Sequence, residues 1–285
     1  MIRVLNKASA CATLRVAALT ITTFVLGITA AAATGQPEPW QLNLQPAATG
    51  LHQQNIDFHN LLLVIITAIT LFVMALMLWV IVRYNRKANP TPSTTSHNTL
   101  LEIVWTLVPV LILVFIAIPS YKLLYAHDRT PPVDLTVKAI GNQWYWTYEY
   151  PDQEGLAFDS IMLTDEEAAA QGKPRTLATD THVVVPVGKV VRVLVTASDV
   201  IHAWTIPAFG VKVDAIPGRT NEVWFKADRE GLYYGQCSEL CGIKHAFMPI
   251  VVEVVSEERF AQWLEEAKEQ YGSVSAPISV AAVAQ

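Results

Sequence analysis

The chain has 285 residues, 52% of them hydrophobic and only 16% charged, against about 25% charged in an ordinary globular protein. That composition excludes intrinsic disorder and most fully soluble folds, and a formal net charge of −5 argues against a nucleic-acid partner. The charge is polarised: from residue 127 onward 22 acidic side chains face 13 basic ones, a balance of −9, while the preceding part carries 7 basic and 3 acidic, a balance of +4. An apolar first half joined to an acidic second half predicts a membrane anchor that presents a domain to a basic partner.

Residues 1–35 read as a signal peptide. Arg3, Lys7 and Arg15 give a positive start, residues 16–28 are apolar apart from Thr and Gly, and Ala30 to Ala33 supply a small-residue cleavage region. An uncleaved anchor is the alternative. Cys11 precedes the apolar stretch, unlike the cysteine of a lipoprotein box, so cleavage leaves two of the three cysteines.

Residues 36–125 then hold two expected spans, 61–82 and 103–121, both without a charge. Each is long enough to cross about 30 Å of hydrocarbon as a helix, and Pro109 is tolerated there. Arg83, Arg86 and Lys87 follow the first span, and no acid appears before Glu102. The positive-inside rule puts this loop in the cytoplasm and both termini outside, in agreement with the signal peptide. Glu102, one residue before the second apolar run, reads either as an exposed interfacial carboxylate or as a proton-handling group.

From residue 126 to 255 the pattern changes to period-two alternation. Strands are expected within 133–150 and at 182–186, 190–196, 202–206, 221–227 and 249–255, separated by turns such as Pro186-Val187-Gly188 and Pro217-Gly218. Many short strands suggest an antiparallel sandwich or barrel. Trp144, Trp146, Tyr148 and Tyr150 share one strand face by alternation. Residues 256–285 open with Ser256 as an N-cap and Glu257 and Glu258 in a first turn, predicting a helix to about Tyr271 and then an irregular tail.

The most informative segment carries Cys237, Cys241, His245 and Met248 at spacing C-x3-C-x3-H-x2-M, with His202 at the head of an earlier strand. Thiolate, thioether and imidazole together favour copper. A mononuclear blue-copper site needs one thiolate, so the second opens the possibility of two coppers bridged by both sulfurs. A disulfide is the rival for two exported cysteines, although a Cys-x3-Cys loop is small and gains little entropy. Zinc is disfavoured by the methionine. A periplasmic copper chaperone or thiol-disulfide protein using Cys237 and Cys241 is a further alternative, but such proteins pair a single anchor with a βαβ pattern.

On these residues the chain resembles subunit II of the haem-copper cytochrome c oxidases. The likeness covers the helical hairpin, Gly141-Asn142-Gln143-Trp144-Tyr145-Trp146, Asp199-Val200-Ile201-His202, Asp214 to Arg219, and 233–249. It implies a membrane-anchored all-β protein: a two-helix transmembrane hairpin with a cupredoxin-like Greek-key β-barrel. It implies a dinuclear copper A centre bridged by Cys237 and Cys241, with His202 and Met248 completing one copper and His245 and the Glu239 carbonyl the other. The Glu239 carboxylate would hold magnesium or manganese against subunit I. Trp144 would be the electron-entry residue rather than core, and Glu102 would lie near a proton-path entrance. Glu149, Asp159, Asp180 and Asp199 would face cytochrome c, although each alone reads as a solvated charge. The implied partners are subunit I and other oxidase subunits, cytochrome c and membrane lipid, and the implied location is a bacterial inner membrane, crossed twice, with the copper domain on the periplasmic side. A quinol oxidase subunit II would lack the cysteines, and a nitrous-oxide reductase the hairpin. Oxygen reduction belongs to another chain, since this one shows no haem-binding motif.

Overall fold

The computed structural model describes residues 35–272, so nearly all of the expected signal peptide, Cys11 and residues 273–285 lie outside the described residues. The expected spans lie inside two longer helices, α1 (Gly50–Arg83) and α2 (Thr99–Asp128). At 1.5 Å per residue, the 34 residues of α1 run about 51 Å, so its first turns stand clear of a 30 Å hydrocarbon layer. The Thr49 hydroxyl caps α1 by accepting from His52 N–H at 3.0 Å, and Asn98 caps α2 through Leu101 N–H at 3.1 Å. Between the caps, Phe72, Trp79, Leu111 and Phe115 are exposed, as lipid-facing or subunit-facing residues must be.

The rest is a two-layer β domain. One sheet has five strands in the order β3-β2-β1-β5-β8, a second has β4-β10-β9, and β6-β7 form a ribbon. The strands are β1 (Leu135–Asn142), β2 (Tyr145–Tyr150), β3 (Leu156–Ser160), β4 (Val183–Pro186), β5 (Val190–Ala197), β6 (His202–Ile206), β7 (Val211–Ala215), β8 (Asn221–Lys226), β9 (Gly231–Gln236) and β10 (Pro249–Val255). The sheets are mixed, which corrects the antiparallel expectation: β1 pairs parallel to β5, and β10 parallel to β4. A cupredoxin-like sandwich results.

Alternation explains the core. Trp146, Tyr148 and Tyr150 point inward from β2 and are fully buried. Each buried polar tip finds a partner. The Tyr150 hydroxyl donates to Val184 O at 3.0 Å and accepts from Val184 N–H at 2.9 Å, and Trp204 Nε1–H donates to the Tyr148 hydroxyl at 3.4 Å. A short helix, α3 (Asp165–Ala170), follows a Thr164/Glu167 capping box, and α4 (Glu257–Tyr271) closes one end of the sandwich. There Trp263 lies 5.3 Å from the Tyr150 ring, and Tyr271 5.1 Å from Phe158.

The helices are tied to the β domain by polar contacts. Thr49 Oγ1–H donates to Phe209 O at 2.8 Å and Asn55 Nδ2–H to Gly210 O at 3.3 Å, while His127 Nε2–H donates to Asn55 Oδ1 at 2.9 Å and so joins the two helices beside that contact. Gly210 has φ +71°, and a Cβ there would stand 2.5 Å from Asn55 Nδ2, so glycine is what allows this approach.

Candidate metal centre

The loop between β9 and β10 is pinned at both ends. Gln236 and Pro249 are register partners, and Cys237 N–H donates to Met248 O at 3.3 Å. Twelve residues thus fold back on themselves, which brings C-x3-C-x3-H-x2-M into one small volume. Ser238 N–H donates to Ala203 O at 3.1 Å, docking the loop on β6 directly beside His202. The His202 ring sits against Gly141, where a Cβ would fall 2.8 Å from His202 Cδ2.

The donor atoms converge. Cys237 Sγ and Cys241 Sγ are both free and stand 3.8 Å apart. Cys237 Sγ lies 3.9 Å from His202 Nδ1 and 3.3 Å from Glu239 O, while Cys241 Sγ lies 3.5 Å from both His245 Nδ1 and Met248 Sδ. Ligands about 2.0–2.3 Å from a shared tetrahedral metal stand roughly 3.3–3.8 Å from each other, so these spacings fit metal ligation. His202, Cys237, Cys241 and Met248 are buried, and the Glu239 side chain is exposed.

The electrostatics also ask for a cation. Burial works to raise the Cys237 thiol, but contacts with His202 and with backbone at Ala203 and Glu239 override it and bring it down to about 7. Burial and the adjacent Cys237 sulfur push Cys241 up to about 12. Two buried sulfurs this close cannot both ionise unaided, whereas a soft metal ion binds both as thiolates and releases their protons. For His202, burial works to lower the basicity, and the Cys237 sulfur and the Asp199 carboxylate more than reverse it.

Trp144 is not in the strand face that alternation suggested. It sits in the turn between β1 and β2, half-buried, with Nε1–H directed at Cys241 O at 3.3 Å. Gln143 makes the shorter contact to the same carbonyl, 2.8 Å from Nε2, a role that its position beside a tryptophan did not reveal. Of the four acids, Glu149 pairs with Lys138 at 2.9 Å, Asp159 accepts from the Thr147 hydroxyl at 2.6 Å, and Asp180 accepts from Ile161 N–H at 2.8 Å. Asp199 turns inward to His202, at 2.9 Å. Glu102 lies in the first turn of α2, 26 residues and about 39 Å along the helix from Asp128, far from the sulfur cluster.

The chain matches two families, "Cytochrome C oxidase subunit II, periplasmic domain" over residues 135–255 and "Cytochrome C oxidase subunit II, transmembrane domain" over residues 37–123. The chain belongs to the cytochrome c oxidase subunit II family. It is 51% identical over 229 residues to the probable cytochrome c oxidase subunit 2 of Rickettsia conorii, covering 80% of this chain and 72% of that protein. With the cytochrome c oxidase subunit 2 of Cereibacter sphaeroides it shares 47% over 268 residues, 86% of this chain and 88% of the relative. The crystal structure of the periplasmic domain of subunit II of cytochrome oxidase from Bradyrhizobium japonicum is 57% identical, covers 50% of this chain and 99% of its own, and has a TM-score of 0.47. As a member of this family the chain is a two-pass membrane subunit of an oxidoreductase, and its His/Cys cluster is compatible with copper.

Proposed function

We propose that this chain is the electron-entry subunit of its oxidase: a reduced cytochrome c docks on the periplasmic face, one electron enters at a dinuclear copper A centre, and it leaves for haem in subunit I, where oxygen reduction is coupled to proton pumping. The observation that carries this reading is the pair of free, buried sulfurs 3.8 Å apart with an imidazole near each. His202, Cys237, Cys241, His245, Met248 and the Glu239 carbonyl would hold two coppers, which supply a one-electron relay of small geometric change. Cys237 and Cys241 would supply the thiolates, His202 and His245 the imidazoles and Met248 the thioether, and the buried surroundings of the two sulfurs would keep water out. Trp144, hydrogen-bonded to the Cys241 carbonyl, borders the sulfur loop on the side from which an electron would come.

The remaining assignments rest on placement. The exposed Glu239 carboxylate is free to hold magnesium or manganese against subunit I. An exposed apolar rim of Val200, Ile201, Leu240, Ile243 and Phe247 supports contact with other subunits. Glu149 and Asp159 share the outer face of neighbouring strands and, with Asp180 and Asp199, give a negative field that suits a basic cytochrome c. Glu102 would stand near a proton entrance at the opposite membrane face. Arg83, Arg86 and Lys87 support a cytoplasmic inter-helix loop in a bacterial inner membrane, with the β domain and both termini outside.

Substituting Cys241→Ser in the assembled oxidase tests the bridge. Loss of the mixed-valence near-infrared band is expected, and an unchanged band would refute it.

A further inference from the structure

Asp199 makes more hydrogen bonds than a docking charge needs. Its Oδ1 accepts from Val200 N–H at 2.6 Å and from His202 Nε2–H at 2.9 Å, and its Oδ2 accepts from Gln143 N–H at 2.7 Å. A carboxylate offers about four lone-pair sites, so three are taken by groups of the protein itself. The histidine side chain it holds is 0% exposed, and the carboxylate side chain is 31% exposed.

Each bond has a consequence. The bond to Nε2–H fixes the tautomer of His202 and leaves Nδ1 as the bare nitrogen, the one 3.9 Å from Cys237 Sγ. The bond to Gln143 N–H anchors the β1–β2 turn, whose next contacts are Gln143 Nε2–H to Cys241 O at 2.8 Å and Trp144 Nε1–H to the same oxygen at 3.3 Å. One carboxylate therefore ties the head of β6 to the turn that lies on the sulfur loop.

We infer that Asp199 is a positioning residue that orients His202 and holds the Gln143–Trp144 turn against the Cys241 carbonyl, joining the copper ligand set to the electron-entry residue. This rests on the copper reading above, but part of it does not need the metal. The negative charge 2.9 Å from the buried His202 ring also disfavours an added electron, so removing it raises the midpoint potential of the centre.

The test is Asp199→Asn in the full chain, with Asp159→Asn as the comparison. In metal-free protein, Asp199→Asn moves the His202 ring nitrogen resonances and the Trp144 indole N–H resonance, whereas Asp159→Asn leaves both in place. Unmoved resonances in Asp199→Asn overturn the proposal whether or not copper is ever bound, which keeps its failure separate from that of the copper reading. In the assembled oxidase, Asp199→Asn raises the midpoint potential and weakens copper binding about 10- to 100-fold, the usual effect of losing a group that orients a metal ligand. KM for cytochrome c rises no more than in Asp159→Asn, the comparison that loses a docking charge alone, and Asp199→Glu restores part of the copper affinity. A raised KM with flattened salt dependence, at unaltered potential and copper affinity, would make Asp199 a docking charge and nothing more.

Discussion

At the residue scale, the sulfur loop shows how a spacing becomes a site. C-x3-C-x3-H-x2-M is only a string until β9 and β10 clamp its ends through Cys237 N–H and Met248 O. After that, the side chains have one small volume to share. Trp144 borders that volume and donates to the Cys241 carbonyl, yet supplies no donor atom near either sulfur. Trp144→Phe should therefore slow electron entry from cytochrome c by tenfold or more (a barrier increase of about 1.4 kcal/mol) and leave the copper spectrum intact. Stopped-flow reduction checks this, and unaltered rapid kinetics would remove its special role. The cluster of sulfur and imidazole side chains was legible because residue type and spacing carry it. Gln143 and the inward turn of Asp199 were not, since an acid three residues before a histidine looks like any surface charge until the fold brings β1 and β6 together. Alternation grouped Trp144 with Trp146, Tyr148 and Tyr150, but β2 begins only at Tyr145, so Trp144 escapes the strand's periodicity.

At the element scale, both spans and most strands were legible from hydropathy runs and alternation. β3, β7 and β9 were not. β3 is five residues after a turn at 151–155, β7 lies between Gly210 and Pro217, and β9 begins and nearly ends on glycine, so each looks locally like loop. The parallel pairs β1/β5 and β10/β4 depend on which strands the crossovers bring together, which no local pattern encodes. Helix α4 was legible from its cap, but its purpose was not. Its Trp263 packs on Tyr150, Phe158 and Phe260 with ring centroids 5.3, 6.3 and 5.8 Å away. Trp263→Ala should cost about 2–3 kcal/mol, below the full-burial range because the side chain is only partly buried. Thermal unfolding monitored by near-UV circular dichroism measures it, and unchanged stability would mean that α4 is only draped over the sandwich.

At the scale of the whole molecule, the two helices and the acidic β domain divide the labour between anchoring and encounter. The −9 balance of the second half lies almost entirely outside the membrane spans, where it can attract a basic protein. Cytochrome c association should weaken steadily as salt rises, since the Debye length falls from about 10 Å at 0.1 M to about 3 Å at 1 M. Salt-independent association kinetics would contradict acidic steering.

The most direct measurement is a copper count joined to electron paramagnetic resonance on the purified oxidase containing this chain. Two coppers at this subunit, with one unpaired electron coupled equally to both nuclei, are expected. A single copper with a one-nucleus spectrum, or a disulfide between Cys237 and Cys241 with no metal, would contradict it.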